Sequence, residues 1–258
     1  MIQEGALQNP TPASIYGQHV ATNVPVGKIG FREGMYMAST DELYLKVIGK
    51  GGHGAMPDAC VDLLWDGERL RIAGPDTRAQ YARIAPGRRI SGLRFAPGAA
   101  TRWLGVPLHV LADQRVDLRD LGIARLATQT DRMAERDADA MAWLADSIQA
   151  DTPPRSDAIS AVHARLSCAR PDTVAQLARD LGITERTLLR RCDEAFGYGP
   201  KLLARILRLQ RFLQRRHHHA NLLEAALDAG YYDAAQLAGD ARRLTGLTPT
   251  RLIAQVAD

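Results

Sequence analysis

The spacing of apolar residues divides the chain into a first part with short apolar runs and a second part with helical stripes. Short runs separated by Gly, Pro and Asp are typical of antiparallel strands joined by turns. The predicted strands are Leu43–Ile48, Cys60–Trp65, Leu70–Ala73, Tyr81–Ile84 and Ile90–Phe95. We therefore expect a small β-rich domain at 31–117, preceded at 1–30 by an irregular leader that contains three prolines.

Helical spacing begins after the predicted β-rich domain. An uneven apolar stripe runs from 118 to 150 and predicts a helical region, which either packs on the β-rich domain or mediates dimerisation. Asp151-Thr152-Pro153-Pro154 ends this region, because proline cannot continue a helix, and marks the best domain boundary. The remaining residues, 155–258, have the pattern of an all-α domain, so the predicted fold class is α+β.

A helix-turn-helix unit is predicted between Thr173 and Pro200. Thr173 precedes a first helix, and Gly182 ends it at a turn that needs a residue tolerant of positive φ. Thr184 is the expected N-cap of a second helix. Its inward positions are Leu188, Ala195 and Phe196, and its outward positions are Arg186, Thr187, Arg190 and Arg191.

The same pattern recurs about 49 residues later in the chain. Ala178 and Gly182 are echoed by Ala226 and Gly230, and a Gly-x2-Pro sequence occurs at 197–200 and again at 246–249. A repeat of this length indicates a duplicated structural unit. In the second copy, helices are expected at 222–229 and 234–244, and an amphipathic helix at 201–216 connects the two units.

These features resemble the AraC/XylS family of bacterial transcription regulators, whose C-terminal domain has two helix-turn-helix units joined by a long helix. Gly246-Leu247-Thr248-Pro249 is similar to that family's closing motif. The first part of the chain resembles the poorly characterised N-terminal domain of one AraC subgroup, through the sequences at 56–65, 73–77 and 92–99. That subgroup usually has Pro-Asp-Gly-Cys where this chain has Ala59. In related regulators such domains sense small molecules or dimerise.

Composition and charge agree with a folded nucleic-acid-binding protein. Hydrophobic residues make up 46% and charged residues 24% of the chain, which is typical of a globular protein. From Arg155 onward there are 16 Lys and Arg against 11 Asp and Glu, compared with 17 against 18 before it. The positive excess therefore accompanies the helix-turn-helix units, where phosphates would be bound.

Several classes of protein are disfavoured by what the sequence lacks. No apolar run is long enough to span a bilayer and no signal core is visible, so a cytoplasmic protein is expected. Three cysteines without CxxC spacing indicate neither a disulfide framework nor a zinc site. Three consecutive histidines at 217–219 would point about 100° apart on a helix and cannot converge on one metal ion. We find no cofactor motif, phosphate loop or catalytic triad, so an enzyme is not expected.

The predicted DNA contacts are polar side chains on the two outward helices. Double-stranded DNA is expected to bind through its major groove, because the second helix of a helix-turn-helix unit enters that groove, and Arg is the usual reader of guanine. The expected residues are Thr184, Arg186, Thr187, Arg190 and Arg191 in the first unit, and Gln236, Arg242 and Arg243 in the second. The second helix also carries Gly239 and Asp240, and Asp240 is expected to repel phosphates. We therefore expect base specificity mainly from the first unit.

The candidate ligand residues of the β-rich domain are Asp62, Arg94, Cys60 and Trp65. Asp62 is an acid within an apolar strand, so it either orients a ligand or forms an internal ion pair with Arg94 or Arg71. Cys60 is a small core residue or a reactive thiol. A small-molecule effector, RNA polymerase and a second copy of the chain are candidate partners. The alternative function is an interaction or adaptor protein whose second DNA-reading helix has decayed.

Overall fold

A computed structural model describes residues 41–43, 53–82, 90–136, 140–151 and 157–257 of the chain. The predicted leader at 1–30 and most of the predicted strand at 43–48 lie outside these residues. The described strands are β1 (Asp41–Leu43), β2 (His53–Ala55), β3 (Val61–Trp65), β4 (Leu70–Ala73), β5 (Gln80–Ala82), β6 (Ser91–Phe95) and β7 (Arg115–Asp117). The helices are α1 (Ala100–Leu104), α2 (Ala124–Ala134), α3 (Ala140–Asp151), α4 (Asp157–Leu166), α5 (Val174–Asp180), α6 (Glu185–Phe196), α7 (Pro200–Arg215), α8 (Leu222–Asp228), α9 (Ala234–Thr245) and α10 (Pro249–Ala257).

Five of the strands form one antiparallel sheet in the order β1-β6-β3-β4-β7, and β2 pairs with β5 in a second, two-stranded sheet. Side chains alternate across β3, so Val61, Leu63 and Trp65 are buried while the residues between them are partly exposed. The register places Leu63 opposite both Ile72 and Leu93. One face of the sheet is therefore continuous and apolar.

The helices that follow the sheet cover this apolar face. The region at 118–150 is a 3-10 turn at Leu118–Leu121 followed by α2 and α3. Met133, Met141, Leu144 and Ile148 belong to the same buried cluster as the sheet residues. Of the two roles expected for this region, packing on its own β-rich domain is the one seen in the structure.

A second buried cluster is built by α4 to α10. The connector α7 contributes Leu203, Ile206, Leu209, Phe212 and Leu213, which form its apolar stripe. Both helix-turn-helix units pack against this stripe. Ala59, from the loop before β3, also belongs to this cluster and is 1% exposed. It has a φ of 65°, a left-handed conformation that favours glycine, which is the residue the resembling subgroup has there.

Polar contacts join the sheet to the helical half. The Gln210 amide of α7 donates to the Pro57 carbonyl at 2.6 Å, and the Thr101 hydroxyl donates to the Glu194 carbonyl of α6 at 3.0 Å. The Ala79 backbone N–H donates to the Leu244 carbonyl of α9 at 2.6 Å. Residues 39–258 accordingly cluster as one unit.

Candidate nucleic-acid interface and adjoining cleft

The first helix-turn-helix unit is fixed by its helix caps and its turn. Thr173 and Gln176 form a reciprocal capping box at the start of α5. Gly182 turns the chain with a φ of 64°, and the Thr184 hydroxyl accepts the Thr187 N–H at 3.1 Å to begin α6. These caps satisfy backbone donors that the first turn of a helix leaves unpaired, so the sequence sets where α6 begins.

The outward face of α6 is basic. Leu188, Cys192, Ala195 and Phe196 point into the core, and Arg186, Arg190 and Arg191 are exposed. Arg186 and Arg190 lie one turn apart on the side opposite the core, and Arg190 pairs with Glu194 at 3.0 Å. This surface ion pair is weak and easily exchanged for a base or a phosphate. Of the predicted contact residues of the first unit, Arg186 and Arg190 therefore share one exposed face, Thr184 and Arg191 are exposed beside it, and Thr187 is half-buried.

The second unit repeats the backbone of the first but not its outward side chains. The chain turns at Gly230 with a φ of 90°, and the Asp233 carboxylate accepts the Gln236 N–H at 2.7 Å to begin α9. The N-caps Thr184 and Asp233 are 49 residues apart, so Arg186 and Arg190 correspond to Ala235 and Gly239. Ala235 and Gly239 are exposed, and the outward face of α9 therefore carries almost no side chain at these two positions.

Part of the Gln236 side chain is engaged in a hydrogen bond with the backbone just before its own helix. Its side-chain oxygen accepts the Tyr232 N–H at 3.0 Å, and the amide NH2 takes no part in this bond. Tyr232 precedes the helix and is 86% exposed. Arg242 and Arg243 are exposed on the last turns of α9. The predicted contact residues of the second unit are therefore accessible, although they flank rather than form the position equivalent to Arg190.

Asp240 does not have the location expected from the sequence. We expected its charge to repel DNA phosphates, but the residue is 7% exposed and faces the connector helix. Its carboxylate pairs with Arg205 at 3.0 Å and with Arg208 at 2.9 Å. The Arg208 guanidinium also stacks over the Tyr231 ring at 4.7 Å. Asp240 is therefore a buried contact between α9 and α7, and Arg205 and Arg208 compensate its negative charge.

Asp62 and Arg94 form the ion pair that the sequence left open. The register places them directly opposite each other on β3 and β6, and the guanidinium donates to both carboxylate oxygens at 2.8 and 2.9 Å. Arg94 also contacts Asp58 at 2.8 Å, and the hydrogen bonds that it donates to Asp62 raise the pKa of the guanidinium. Arg71 instead pairs with Asp66 at 3.5 Å.

The four candidate ligand residues do not form one site. Trp65 is buried in the apolar face of the sheet, on the side opposite Cys60 and Asp62. Cys60 lies beside Arg94 and Asp58, and burial raises the pKa of its thiol to about 12. A thiol with so high a pKa is a poor nucleophile at neutral pH.

Cys60 and Arg94 contribute to a cleft of about 460 Å³ between the sheet and the helices α4 and α7. The sheet side presents Asp58, Cys60 and Arg94, and the helical side includes His163, Arg211 and Arg215. Burial raises the pKa of Asp58, and the neighbouring Arg94 guanidinium acts in the opposite direction. The cleft therefore joins the first part of the chain to the connector between the DNA-reading units.

Arg211 is the residue of this cleft that the sequence analysis missed. It is 7% exposed and interrupts the apolar stripe of α7, between Leu209 and Phe212. Its guanidinium donates to the Ser167 carbonyl just after α4 and to the Ala229 carbonyl at the end of α8, the latter at 2.7 Å. A cation within an otherwise apolar helical stripe was the available signal, because a buried charge requires partners.

The described residues contain neither a metal-binding cluster nor a membrane-spanning helix. Among them, no group of three His, Cys, Asp or Glu side chains is arranged to hold a metal ion. His219 of the histidine run contacts Asp228 at 3.2 Å. Within the part of the chain that the structure describes, no helix is long and apolar enough to cross a bilayer.

Two protein-family models match the chain. Residues 177–255 match a family described as "Helix-turn-helix domain", and residues 46–117 match one described as "Domain of unknown function (DUF6597)". The first contains α6 and α9 with their outward faces. The second contains the sheet strands β2 to β7 and the Asp58, Cys60 and Arg94 side of the cleft.

The chain also shares a segment with curated enzymes. N-acetyldiaminopimelate deacetylase of Bacillus cytotoxicus is 41% identical over 64 residues, which is 25% of this chain and 17% of the enzyme. The enzyme of Priestia megaterium is 39% identical over 64 residues, with the same coverage. The chain thus spans about a sixth of the length of these relatives.

Among solved structures, ToxT of Vibrio cholerae O395 is similar with a TM-score of 0.41 and 10% identity, covering 84% of this chain and 94% of ToxT. ToxT bound to (E)-4-(8-methylnaphthalen-1-yl)but-3-enoic acid gives a TM-score of 0.43 at 9% identity, covering 85% of this chain and 96% of ToxT.

Proposed function

We propose that this chain, a DNA-binding transcription regulator with an AraC-type helix-turn-helix domain, reads bases mainly through α6 and uses α9 mainly for the DNA backbone. The observation that carries this proposal is the difference between equivalent outward positions. Arg186 and Arg190 are exposed on α6, where Ala235 and Gly239 stand on α9. Arginine can contact guanine through two hydrogen bonds, whereas glycine has no side chain with which to contact a base.

The second unit retains groups suited to phosphates. Arg242 and Arg243 are exposed near the end of α9, and the amide NH2 of Gln236 is available near its start. Contacts to phosphate position a protein on DNA without selecting a sequence. We infer that the second unit raises affinity and sets register, while the first selects the site.

The test is selection of bound sequences from random DNA with the full chain at two salt concentrations. Arg190→Ala should lose about 1–3 kcal/mol of binding free energy and relax one base position. Arg242→Ala should weaken all sequences similarly and lower the salt slope by about one. Arg132→Ala is the control, because Arg132 is exposed on α2 in the other half of the protein. A greater loss of specificity in Gln236→Ala than in Arg190→Ala would contradict this division of labour.

A gain-of-contact variant sharpens the same test. Gly239→Arg places a guanidinium at the position equivalent to Arg190, and no atom lies within 4 Å of the added Cβ. It should extend the selected motif by at least one base position. The alternative function, an adaptor with a decayed second helix, would instead give no enriched motif for the wild-type chain.

The first part of the chain supplies the proposed regulation. We infer that the domain at 46–117 modulates DNA binding through its contacts with α6, α7 and α9, whether the signal is a small molecule or RNA polymerase. Homodimerisation through α2 and α3 is the less favoured route, because their apolar residues already pack on the sheet. No enzymatic activity is proposed from the short segment shared with the deacetylases.

A further inference from the structure

The cleft between the sheet and the connector has two walls of different charge. On the sheet wall, the Arg94 guanidinium is balanced by both Asp58 and Asp62. On the helical wall, the hydrogen bonds that Arg211 donates all go to backbone carbonyls, which carry no net charge. A guanidinium has five N–H donors, and these bonds use three of them. Among the described residues, the other two N–H donors of this 7% exposed arginine have no acceptor, and Arg211 lines the cleft.

Arg215 adds a second cation to the helical wall. It lies one helical turn from Arg211, and half of its side chain is exposed. Its contact with Asp228 is long, at 3.3 Å, and that carboxylate also contacts His219 at 3.2 Å. Gln214 and His163 also line this part of the cleft, and Leu207 supplies an apolar surface.

We propose that the helical wall of the cleft binds a small ligand with a carboxylate or phosphate head group, held by Arg211 and Arg215. Planar guanidinium groups match both head groups through paired hydrogen bonds, which are stronger when donor and acceptor are charged. Leu207 would contact an apolar part of the ligand.

Binding at this position is linked to DNA recognition through Arg211. The same guanidinium joins the end of α4, which leads into the first unit, to the end of α8, which supports the second. A ligand bound to the remaining N–H groups of the same guanidinium is therefore in direct contact with the side chain that holds α4 and α8 against the connector. This consequence rests on the proposed function, whereas binding of the ligand does not.

The experiment measures thermal stability of the full chain while sodium phosphate or sodium benzoate replaces NaCl at constant ionic strength. The wild-type protein should show a saturable rise in Tm with at least one of the two anions, and the arm that saturates distinguishes a phosphate from a carboxylate ligand. Arg215→Gln should weaken the apparent affinity at least tenfold. Arg242→Gln, which removes a cation from the DNA-facing helix, should leave the affinity unchanged.

Two results would overturn the proposal. One is the absence of a saturable shift with both anions in the wild-type protein. The other is a shift that Arg242→Gln reduces as much as Arg215→Gln, because anions would then bind the basic DNA surface. DNA selection with Arg215→Gln separates this inference from the proposed function. Failure of the wild-type chain to select DNA would contradict the proposed function, and a saturable, Arg215-dependent shift would still establish the anion site.

Discussion

Three cysteines occupy three different environments, and their reactivity tests whether the chain contains a functional thiol. Burial raises the pKa of Cys60 and of Cys192 to about 12, and Cys168 is exposed. At pH 8 only about one in ten thousand Cys60 or Cys192 side chains is a thiolate, which is the reactive form. We expect iodoacetamide to alkylate Cys168 first, as measured by mass spectrometry of the digested protein.

The unfolded chain is the control for this measurement, because all three cysteines should then react at similar rates. Alkylation of Cys60 in the native protein as fast as Cys168 would contradict the expectation. It would also restore the hypothesis of a reactive thiol next to Arg94, which the raised pKa of Cys60 disfavours.

Asp240 stabilises the contact between α9 and α7 rather than repelling DNA. Replacing Asp240 by Asn removes the negative charge that Arg205 and Arg208 share, and leaves two largely buried cations uncompensated. We expect the free energy of unfolding to fall by about 2–4 kcal/mol in a urea titration, and the DNA affinity of the folded variant not to increase.

Asp233→Asn provides the matched control on the same helix. Asn is as good an N-cap as Asp, so this change removes a negative charge from α9 with little effect on stability. If Asp240→Asn were as stable as the wild-type protein and bound DNA more tightly, the original expectation of phosphate repulsion would be correct.

Gly239 is a helix-interior glycine that packing does not require. An added Cβ at this position would meet no atom within 4 Å, and the residue is exposed. Since glycine loses more backbone freedom than alanine in a helix, Gly239→Ala should raise the free energy of unfolding by about 1 kcal/mol. Equilibrium denaturation in urea measures this change.

Gly230→Ala is the contrasting variant in the same unit. Gly230 has a φ of 90°, and a Cβ there would lie 2.2 Å from the Ala169 carbonyl oxygen. This substitution should destabilise the protein by more than about 1 kcal/mol. Equal effects of the two alanines would contradict the structural distinction between them.

The predicted and observed elements agree best where local chemistry decides the structure. Thr184 is predicted as an N-cap and is the observed cap of α6, because capping depends on residues three or four positions apart. The strands β2 and β7 were missed because each has three residues and no apolar run. Their existence depends on pairing with β5 and β4, which a single stretch of sequence does not reveal.

The candidate site was likewise predictable from the sequence only where local patterns determine its geometry. The exposure of Arg186, Arg190 and Arg191 on α6 follows from helical periodicity, and their contact with DNA stays a prediction. The partners of Asp240 and Arg211 lie between 18 and 44 residues away along the chain, which local patterns cannot identify. Trp65 lies on the face of β3 opposite Asp62, as strand alternation requires.

The attachment of the sheet to the DNA-binding half can be tested through the duplicated turn glycines. Gly197 and Gly246 end α6 and α9 with φ values of 84° and 75°. A Cβ on Gly246 would meet nothing within 4 Å, whereas a Cβ on Gly197 would lie 2.3 Å from Pro75 and 3.2 Å from the Leu108 carbonyl oxygen. Both alanine variants place a non-glycine residue at a positive φ. Only Gly197→Ala also brings a Cβ against Pro75 and Leu108, which belong to the first part of the chain.

We expect Gly246→Ala to lose about 1 kcal/mol of stability, and Gly197→Ala at least about 2 kcal/mol more.

All three tryptophans lie at or before position 143, so tryptophan fluorescence reports the first part of the chain, while far-UV circular dichroism is dominated by the helices of the second. In the wild-type protein the two signals should change together on urea unfolding. In Gly197→Ala they should separate, because the sheet loses its contact with α6. Coincident transitions in that variant, with a stability equal to that of Gly246→Ala, would mean that the Pro75 contact does not couple the two halves.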